Sequence, residues 1–342
     1  MGEAGLPPAD HAQLFSPVPL PLPSALDVRA AAARIAPGIV RTELRRCDTL
    51  SRFLGGDVWL KLECEQRTGS FKIRGATNAL ALLSPERRAA GVVTASAGNH
   101  GLGLATAAAA LGVGIRVYVP RTSPAVKRDK IAATGATIDA TAGHYDAAEA
   151  LARAEAARTG ATFVSPCTGY ALLAGQGTVA LEAHDDLPEM GTILAGVGGG
   201  GLAGGIAGFL RDAAPGVRIL GAQSERTNAM ALALRAGVPT EIPDLPTLAD
   251  GLAGLVDSEM LAQGKAALDG IATVAERSIA EAIAFLWIEE GLKVEGAGAV
   301  GVAALISGTI IPVRYPLVVV VSGGNIDTEV HAAILDGNYN GE

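Results

Sequence analysis

The sequence is poor in aromatic side chains and has no excess of basic charge. Phe, Trp and Tyr make up 4% of its 342 residues, and 27 Lys and Arg face 35 Asp and Glu, which gives a net charge of -8 at pH 7. A nucleic-acid-binding surface needs a basic patch that pairs with phosphates, and single strands also need aromatic rings on which bases stack. The composition therefore indicates that the protein has no nucleic-acid partner.

Cysteine is also scarce. The three cysteines, Cys47, Cys64 and Cys167, are an odd number and lack the close spacing of a metal site. They fit free thiols in a reducing compartment, and we expect no bound metal. Cys167 could line an active site, although a plain buried thiol is the interpretation that we favour.

The N-terminus lacks the apolar core of a secretory signal, because Glu3, Asp10 and several prolines occupy that region. We therefore expect a cytoplasmic protein in which residues 1–23 are loosely ordered. Two long uncharged stretches, 192–210 and 296–313, approach the length of a membrane span. Both contain many glycines, and the second contains a proline, so we interpret both as buried core and expect no membrane partner.

Two nucleotide-binding motifs are missing as well. The chain has no GxxxxGK[ST] sequence, and a dinucleotide site would need an acidic residue about 20 residues after its glycine turn, where Gln223 and Ser224 stand instead. What the chain does contain is three polar or glycine-rich turns, each after an apolar run. They are Ser-Ala-Gly-Asn-His-Gly at 96–101, four glycines at 198–201, and Ser-Gly-Gly-Asn at 322–325.

Turns of this kind at the carboxyl ends of parallel strands aim free backbone N–H groups at a crevice where anions bind. Gly198, Gly199, Gly200 and Gly201 form the strongest phosphate candidate, because a backbone without Cβ atoms can approach phosphate oxygens closely. The alternatives are a flexible linker and a tight contact between helix and sheet. A linker would not lie between an apolar strand and an apolar helix, and one tight contact would need fewer glycines. A plain helix N-cap and a plain turn are the alternatives for the other two segments.

One lysine, Lys72, lies in the heptapeptide Ser-Phe-Lys-Ile-Arg-Gly-Ala at 70–76. A lysine amine is a nucleophile in its neutral form, which burial or a neighbouring cation favours, and Phe71, Ile73 and Arg74 could supply both influences. Lys72 is our candidate for a covalent catalytic group, and the alternative is a surface lysine on a helix. A lysine, a phosphate site and two polar turns are the parts needed to hold pyridoxal 5'-phosphate as a Schiff base.

With these motifs the chain resembles a known family, the serine/threonine dehydratases (threonine ammonia-lyases). Its wider relatives are serine racemase and other pyridoxal phosphate enzymes of the tryptophan-synthase-beta-like fold. The resemblance extends over about residues 34–330. The motifs that carry it occur in one order, at 60–63, 70–76, 94–101, 174–178, 197–202, 249–251, 294–299 and 322–325.

The resemblance implies a role for each candidate site residue. Lys72 would hold the cofactor and, once released by the substrate amine, remove the α-proton; Phe71 would pack against the pyridine ring. The cofactor's 3-hydroxyl, phosphate and ring nitrogen would bind, respectively, Asn99, the glycines 198–201 with the Leu202 amide, and Ser322. The substrate carboxylate would be received by Ser96, Gly98, Asn99 and His100.

The Ser322 assignment has a chemical consequence. A neutral hydroxyl can donate a hydrogen bond to an unprotonated ring nitrogen, whereas an aspartate would hold that nitrogen protonated. The ring is then a weaker electron sink, which disfavours transamination through a long-lived carbanion. We therefore expect β-elimination, provided that Ser322 faces the ring.

Three departures from the family pattern narrow the function. Ala97 stands where the racemases carry a serine that acts as the second proton donor, and an alanine has no proton to exchange. Residues 166–168 (Pro-Cys-Thr) differ from those of many dehydratases, which leaves the side-chain specificity open. Gln223 stands where metal-binding members have an acidic residue, and Glu225 is the one carboxylate in the segment that follows.

Alternating strands and helices predict an α/β fold with parallel sheets, the clearest strands being 58–62, 92–95, 115–119, 217–222 and 317–321. The resemblance adds the arrangement of a fold type II enzyme with two domains. A large cofactor-binding domain would comprise residues 24–90 and 167–342, and a small mobile domain residues 91–166, with the cofactor in the cleft between them. Because the chain stops at Glu342, we expect no appended regulatory domain.

The leading functional hypothesis is a pyridoxal phosphate-dependent ammonia-lyase that converts a β-hydroxy α-amino acid, with L-threonine or L-serine first, to a 2-keto acid and ammonia. Hydroxyaspartate or a bulkier hydroxy amino acid is an alternative substrate. Racemisation, β-replacement and a catalytically silent sensor are alternative functions. Family members associate as dimers or tetramers, so the resemblance also implies a homo-oligomer.

Three further polar residues are weighed separately. We expect His100 to shape the carboxylate turn and His144 to be an ordinary loop residue. Glu295 would either orient the substrate or cofactor, or cap the helix that follows it.

Overall fold

The computed structural model describes residues 22–310 and 313–339. The predicted loose order of residues 1–23 therefore lies outside the described residues, apart from Leu22 and Pro23. Within the described part the chain forms fourteen α-helices and ten β-strands that alternate along most of its length.

The strands are β1 (Leu44–Arg46), β2 (Val58–Lys61), β3 (Val92–Ala95), β4 (Ile115–Pro120), β5 (Thr137–Ala142), β6 (Thr162–Phe163), β7 (Thr192–Gly196), β8 (Arg218–Ser224), β9 (Gly270–Val274) and β10 (Leu317–Val320). The helices are α1 (Ala25–Ile35), α2 (Asp48–Leu54), α3 (Lys72–Ala81), α4 (Pro85–Ala90), α5 (Asn99–Leu111), α6 (Ala125–Ala132), α7 (Tyr145–Thr159), α8 (Tyr170–Asp186), α9 (Gly201–Ala213), α10 (Ala229–Ala236), α11 (Ser258–Ala267), α12 (Glu276–Glu290), α13 (Gly296–Ile306) and α14 (Thr328–Leu335).

Two sheets organise these elements. The first has six strands in the order β1-β2-β10-β7-β8-β9, in which only β1 runs antiparallel to its neighbour. The second has four parallel strands in the order β5-β4-β3-β6. The predicted α/β fold with parallel sheets is confirmed, and each of the five predicted strands lies within two residues of its observed bounds.

Both faces of the six-stranded sheet are covered by helices, as a parallel sheet requires. Along β10, Leu317 and Val319 pack into one core with α12 and α13, whereas Val318 and Val320 pack into the opposite core with α8 and α9. This alternation follows the two-residue period of a strand, and it explains why an uninterrupted apolar run is needed here.

The first uncharged stretch, 192–210, forms β7 and most of α9 and is buried or half-buried, as predicted. In the second, residues 296–305 of α13 are buried as predicted, but residues 307–309 are exposed, and residues 311–312 lie outside the described residues. In the described residues, no helix is both long enough and apolar enough to cross a membrane.

Helix α3 joins the two sheets. Its residues Ala76 and Leu80 share a core with Leu104 of α5, which packs on the four-stranded sheet. On its other side, a Cβ at Gly175 of α8 would lie 2.6 Å from the Cα of Gly75, so the α3 and α8 backbones are in direct contact. The small domain proposed at residues 91–166 contains the whole four-stranded sheet, but α3, which precedes it in sequence, shares a core with α5 and β3. The domain bounds stay a prediction.

Candidate active site

The turns that follow β2, β7 and β10 open at the same edge of the six-stranded sheet, because these three strands are adjacent and parallel. The lysine motif follows β2, and it is tied directly to the turn after β10. Ser70 pairs with Gly323 in an antiparallel bridge, and the Phe71 amide donates to the Ser322 carbonyl at 3.1 Å. Two motifs from opposite ends of the described chain are thus held side by side.

Lys72 is the first residue of α3 and is half-buried. Its Nζ donates to the Pro166 carbonyl at 2.8 Å and lies 5.2 Å from the centre of the Phe71 ring. The alternative of a surface lysine on a helix is wrong, because the side chain is half-buried and its amine is bound by a carbonyl 94 positions further along the chain.

The predicted influence of Arg74 on Lys72 is also wrong. The Arg74 side chain is fully buried on the other side of α3, where it binds Glu63 and Glu182 through four hydrogen bonds of 2.8 Å. The charge of its guanidinium is therefore matched by two carboxylates and is not available to activate an amine.

The four glycines connect β7 to α9 in a packed turn. Gly200 has φ 85°, a left-handed conformation that favours glycine, and a Cβ at Gly199 would lie 2.7 Å from the Cys167 sulfur. The linker alternative is wrong, since these residues are half-buried or buried. Within residues 22–310 and 313–339, the amides of residues 198–202 donate to no acceptor, as expected of an anion site at a helix N-terminus.

Cys167 differs from the interpretation that we favoured. It is half-buried and packs against Gly199, and its carbonyl accepts from Gln263 Nε2 at 3.3 Å. It therefore lines the glycine turn, one residue after the carbonyl that binds Lys72. Its neighbours come from distant parts of the chain, so the sequence held no signal for this position.

The turn at 96–101 leads from β3 into α5. Gly98 is the N-cap residue and is exposed, and its amide donates to Ser96 Oγ at 3.2 Å. The amides of residues 99–101 have no acceptor in the described part of the chain. Together with the Ser96 hydroxyl they offer donors suited to a carboxylate.

His100 contributes its backbone rather than its side chain to this turn. The ring is 2% exposed, and its Nε2 lies 3.2 Å from the Val164 carbonyl. Burial, with a smaller effect from the charge of Lys72, lowers the pKa of His100 to about 3. The ring is therefore neutral at physiological pH and supports the turn from behind.

Ser322 follows β10 and is 4% exposed. Its hydroxyl donates to the Ala297 carbonyl across a long distance, 3.3 Å. A hydroxyl group rotates about its C–O bond, so this hydrogen can be directed to a better acceptor.

Glu295 lies beside Asn99 and does not cap α13 with its side chain. Its two carboxylate oxygens accept from Asn99 Nδ2 at 2.6 Å and from the Asn325 amide at 3.2 Å. Burial, with a smaller contribution from Asp250, raises the pKa of Glu295 to about 7. Glu295 occupies the N-cap position of α13, but its side chain makes no capping hydrogen bond and binds Asn99 and the Asn325 backbone instead.

Asn325 and Asp250 are further functional candidates. Both lie within motifs of the sequence, at 322–325 and 249–251, but neither was predicted to have a role. Asn325 binds Asn99, and Asp250 forms an ion pair with Lys127 of α6 at 2.8 Å. That ion pair connects the segment between α10 and α11 to α6, which packs on the four-stranded sheet. The signal available in the sequence was that both polar residues stand next to a glycine.

The side chains of Gln223 and His144 both bind backbone groups of the protein itself. Gln223 is buried and uses its amide to bind the Thr227 carbonyl and the Ala231 amide, both at 2.9 Å. His144 caps α7, where its Nδ1 accepts from the Ala147 amide at 3.4 Å.

The residues present fit pyridoxal phosphate. Three kinds of group lie at or next to the ends of neighbouring strands: the half-buried amine of Lys72, the five free amides of residues 198–202 and the buried hydroxyl of Ser322. The glycine turn leaves no room for side chains that would cover those amides. Lys72, the 198–202 turn, Asn99 and Ser322 are the residues that would hold the group.

Comparisons with known proteins agree with this fit. A family model described as pyridoxal-phosphate dependent enzyme matches residues 35–323. The L-threonine ammonia-lyase of Thermotoga maritima is 38% identical over 314 residues, which cover 91% of this chain and 77% of that protein. The processed form of threonine deaminase isoform 2 from Solanum lycopersicum has a TM-score of 0.85 at 29% identity and covers 94% of this chain and 93% of its own. Maize serine racemase has a TM-score of 0.83 at 30% identity, with coverage of 92% and 98%.

Proposed function

The chain belongs to the family of pyridoxal-phosphate dependent enzymes, and on that premise we propose that it is an ammonia-lyase acting on L-threonine or L-serine. The products are a 2-keto acid and ammonia. The name of the Thermotoga maritima relative, which aligns with 91% of this chain, supports the reaction class.

One observation carries the proposal: the Lys72 motif is hydrogen-bonded to the turn that contains Ser322, and both stand beside the glycine turn. A reactive amine, an anion site and a neutral hydroxyl donor are thereby offered to one small molecule. Among the chemistries considered for the sequence, only pyridoxal phosphate chemistry uses all three.

When bound, pyridoxal phosphate supplies an aldehyde that amines can attack and a ring that stabilises negative charge at the substrate Cα. Lys72 Nζ would act twice, first as the amine that holds the group and, once free, as the base for the Cα proton. The free amides of residues 198–202 would hold the phosphate, and the 96–101 turn would hold the substrate carboxylate. Backbone donors fixed in this way would orient the substrate relative to the lysine.

Two residues favour elimination over the other reactions. The Ser322 hydroxyl has no charge with which to keep a ring nitrogen protonated, which disfavours reactions that need a long-lived carbanion. Ala97 has no exchangeable proton to return to the opposite face of the substrate. Elimination of the β-hydroxyl requires neither a protonated ring nitrogen nor a second proton donor.

The test is 2-keto acid release from a panel of L-threonine, L-serine, both hydroxyaspartate diastereomers and bulkier β-hydroxy amino acids. Lys72→Ala is the control, and it should also abolish the yellow colour of the protein. Release that depends on Lys72 would support the lyase and rank the side chains. If the wild type binds the cofactor but releases no keto acid from any member, β-replacement or racemisation replaces this proposal.

Two further properties belong to the proposal rather than to the findings. A cytoplasmic location is supported by the cysteine content, and a homodimer or homotetramer is supported by the family. Cell fractionation and sedimentation of the purified protein test them.

A further inference from the structure

A continuous chain of hydrogen bonds crosses the candidate site from Thr68 to Glu295. Asn325 Nδ2 donates to the Thr68 carbonyl and to Asn99 Oδ1, both at 2.8 Å. Asn99 Nδ2 then donates to Glu295 Oε1 at 2.6 Å. The two asparagines belong to different turns, one after β10 and one at the start of α5.

The direction of these bonds is determined from the Thr68 end. The Thr68 carbonyl can only accept, so the Asn325 atom facing it must be the nitrogen. That nitrogen also faces Asn99, so the Asn99 atom opposite it must be the oxygen, and the Asn99 nitrogen is left to face Glu295 Oε1. If either amide were flipped, two acceptors or two donors would face each other.

Counting hydrogens shows what remains. Asn325 Nδ2 has two hydrogens, and both are used, one on Thr68 and one on Asn99. Asn99 Nδ2 also has two hydrogens, but one of them is used on Glu295, and within the described residues the other has no acceptor. Asn99 therefore presents a single N–H donor whose direction its neighbours set.

The chain of bonds is also held tightly in place. A Cβ at Gly323 would lie 2.2 Å from Glu295 Oε1 and 3.3 Å from Asn99 Nδ2, so the backbone of the 322–325 turn packs directly on this pair. Glu295 is 7% exposed, which keeps water from competing for its oxygens.

We propose that Asn325 and Glu295 are positioning residues, which orient the Asn99 amide so that its free N–H donates to the ring oxygen of the cofactor. This inference rests on the proposed function, because that function supplies the ligand. It assigns roles to two residues that touch Asn99 rather than the reacting atoms.

The test compares Asn325→Asp with Asn325→Ala in a titration of the apoprotein with pyridoxal phosphate, followed by the visible absorption of the bound cofactor. Aspartate has the shape of asparagine but turns acceptor oxygens toward Thr68 and Asn99. We therefore expect binding to weaken about a hundredfold for Asn325→Asp and about tenfold for Asn325→Ala. A purely structural role predicts the opposite order, because alanine leaves a gap and aspartate does not. Equal affinity for wild type and Asn325→Asp, or a larger loss for alanine, would overturn the proposal.

Glu295→Gln tests the other end without a change of shape. If the Oε1 of the glutamine still accepts from Asn99, its Nε2 must face the backbone N–H of Asn325, so that two donors oppose each other. We expect a shift of the visible absorption maximum and about tenfold weaker binding. An unchanged spectrum and affinity would refute the role of Glu295.

Glu276→Gln is the matched control. Glu276 is 2% exposed and likewise accepts a backbone amide, that of Leu248, at 2.7 Å, but it does not contact Asn99. Its variant should keep the wild-type spectrum and affinity. The proposed function is checked first and separately: wild-type protein must bind the cofactor with a visible band that Lys72→Ala lacks, and failure there sinks the function before any of these variants is compared.

Discussion

The buried charge cluster beneath Lys72 makes a quantitative prediction about stability. Arg74 and Lys61 supply two positive charges, Glu63 and Glu182 supply two negative ones, and the Lys61 ammonium lies 2.6 Å from Glu182. The side chains of the two cations and of Glu63 are 0% exposed, and that of Glu182 is 8% exposed. The cluster is neutral as a whole, so the loss of any one member leaves a buried charge without compensation.

Arg74→Met removes one cation and leaves two carboxylates facing a single ammonium. We expect the free energy of unfolding to fall by about 3–5 kcal/mol, the usual cost of breaking a buried pair from one side. Glu182→Gln should cost a similar amount for the opposite reason, because two cations then face one carboxylate. The double variant restores neutrality with Lys61 and Glu63, so its cost should be at least about 2 kcal/mol smaller than the sum of the single costs.

The assay is urea unfolding of the apoprotein at pH 7, followed by circular dichroism, for the wild type, both single variants and the double variant. Arg277→Ala is the control, because its ion pair with Glu281 joins side chains that are 88% and 51% exposed. It should change the free energy of unfolding by less than about 1 kcal/mol. Single costs below 1 kcal/mol, or additivity of the two single costs, would refute the reasoning.

The same cluster sets a pH dependence. Burial acts to raise the pKa of Glu63, but Arg74, Lys61 and the Thr42 hydroxyl together outweigh burial and hold that pKa below the ordinary value of 4.5. A carboxyl group with a lowered folded pKa stabilises the protein above its unfolded pKa. The advantage of the wild type over Glu63→Gln should therefore be complete at neutral pH and should disappear as the pH falls through the lower folded pKa.

Three other perturbations have definite outcomes. Because burial raises the pKa of Glu295 from 4.5 to about 7, this carboxyl ionises at a lower pH in the unfolded chain than in the folded one. The apoprotein should therefore lose about 3 kcal/mol of stability between those pH values, and Glu295→Gln should remove this loss. If the urea midpoints of the two proteins changed equally between pH 5 and 8, the prediction would be contradicted. Gly199→Ala would bring a Cβ within 2.7 Å of a neighbouring sulfur and should weaken pyridoxal phosphate binding at least about tenfold, whereas Gly216→Ala, with nothing within 4 Å, should not. Burial raises the pKa of the Cys47 and Cys64 thiols to about 12, so mass spectrometry should find neither alkylated by iodoacetamide at pH 8 while the protein is folded.

Local patterns were sufficient to predict most of the fold. The strands β2, β3, β7 and β10 are apolar runs that end at polar or glycine-rich segments, and an interior strand of a parallel sheet has to be apolar on both faces. Helix α5 begins within the predicted turn, at Asn99, and ends before Gly112, whose φ of 65° stops the helix. These features depend on residues close together in the chain, which is why sequence reasoning found them.

Partners distant in the chain could not be predicted in the same way. The Asn99–Glu295 bond spans 196 positions and the Asn325–Asn99 bond spans 226. The prediction for Arg74 was wrong for the same reason: Lys72, two positions away in the sequence, suggested an interaction, whereas the carboxylates that Arg74 binds lie 11 and 108 positions away. A charged side chain two positions along a helix points to a different face, so sequence adjacency is a poor guide to electrostatic pairing there.

The overall fold does not decide between elimination and racemisation, because a threonine deaminase and a serine racemase match this chain with TM-scores of 0.85 and 0.83. The decision must come from side chains around the substrate. A racemase has to remove a proton from one face of Cα and return one to the other, whereas elimination needs a base on one face only. The proposed function assigns the base to Lys72, and the resemblance to the racemases assigns the second proton donor to the position of Ala97, whose methyl group has no proton to exchange. On that assignment, the residue at this one position, rather than the scaffold, favours the lyase.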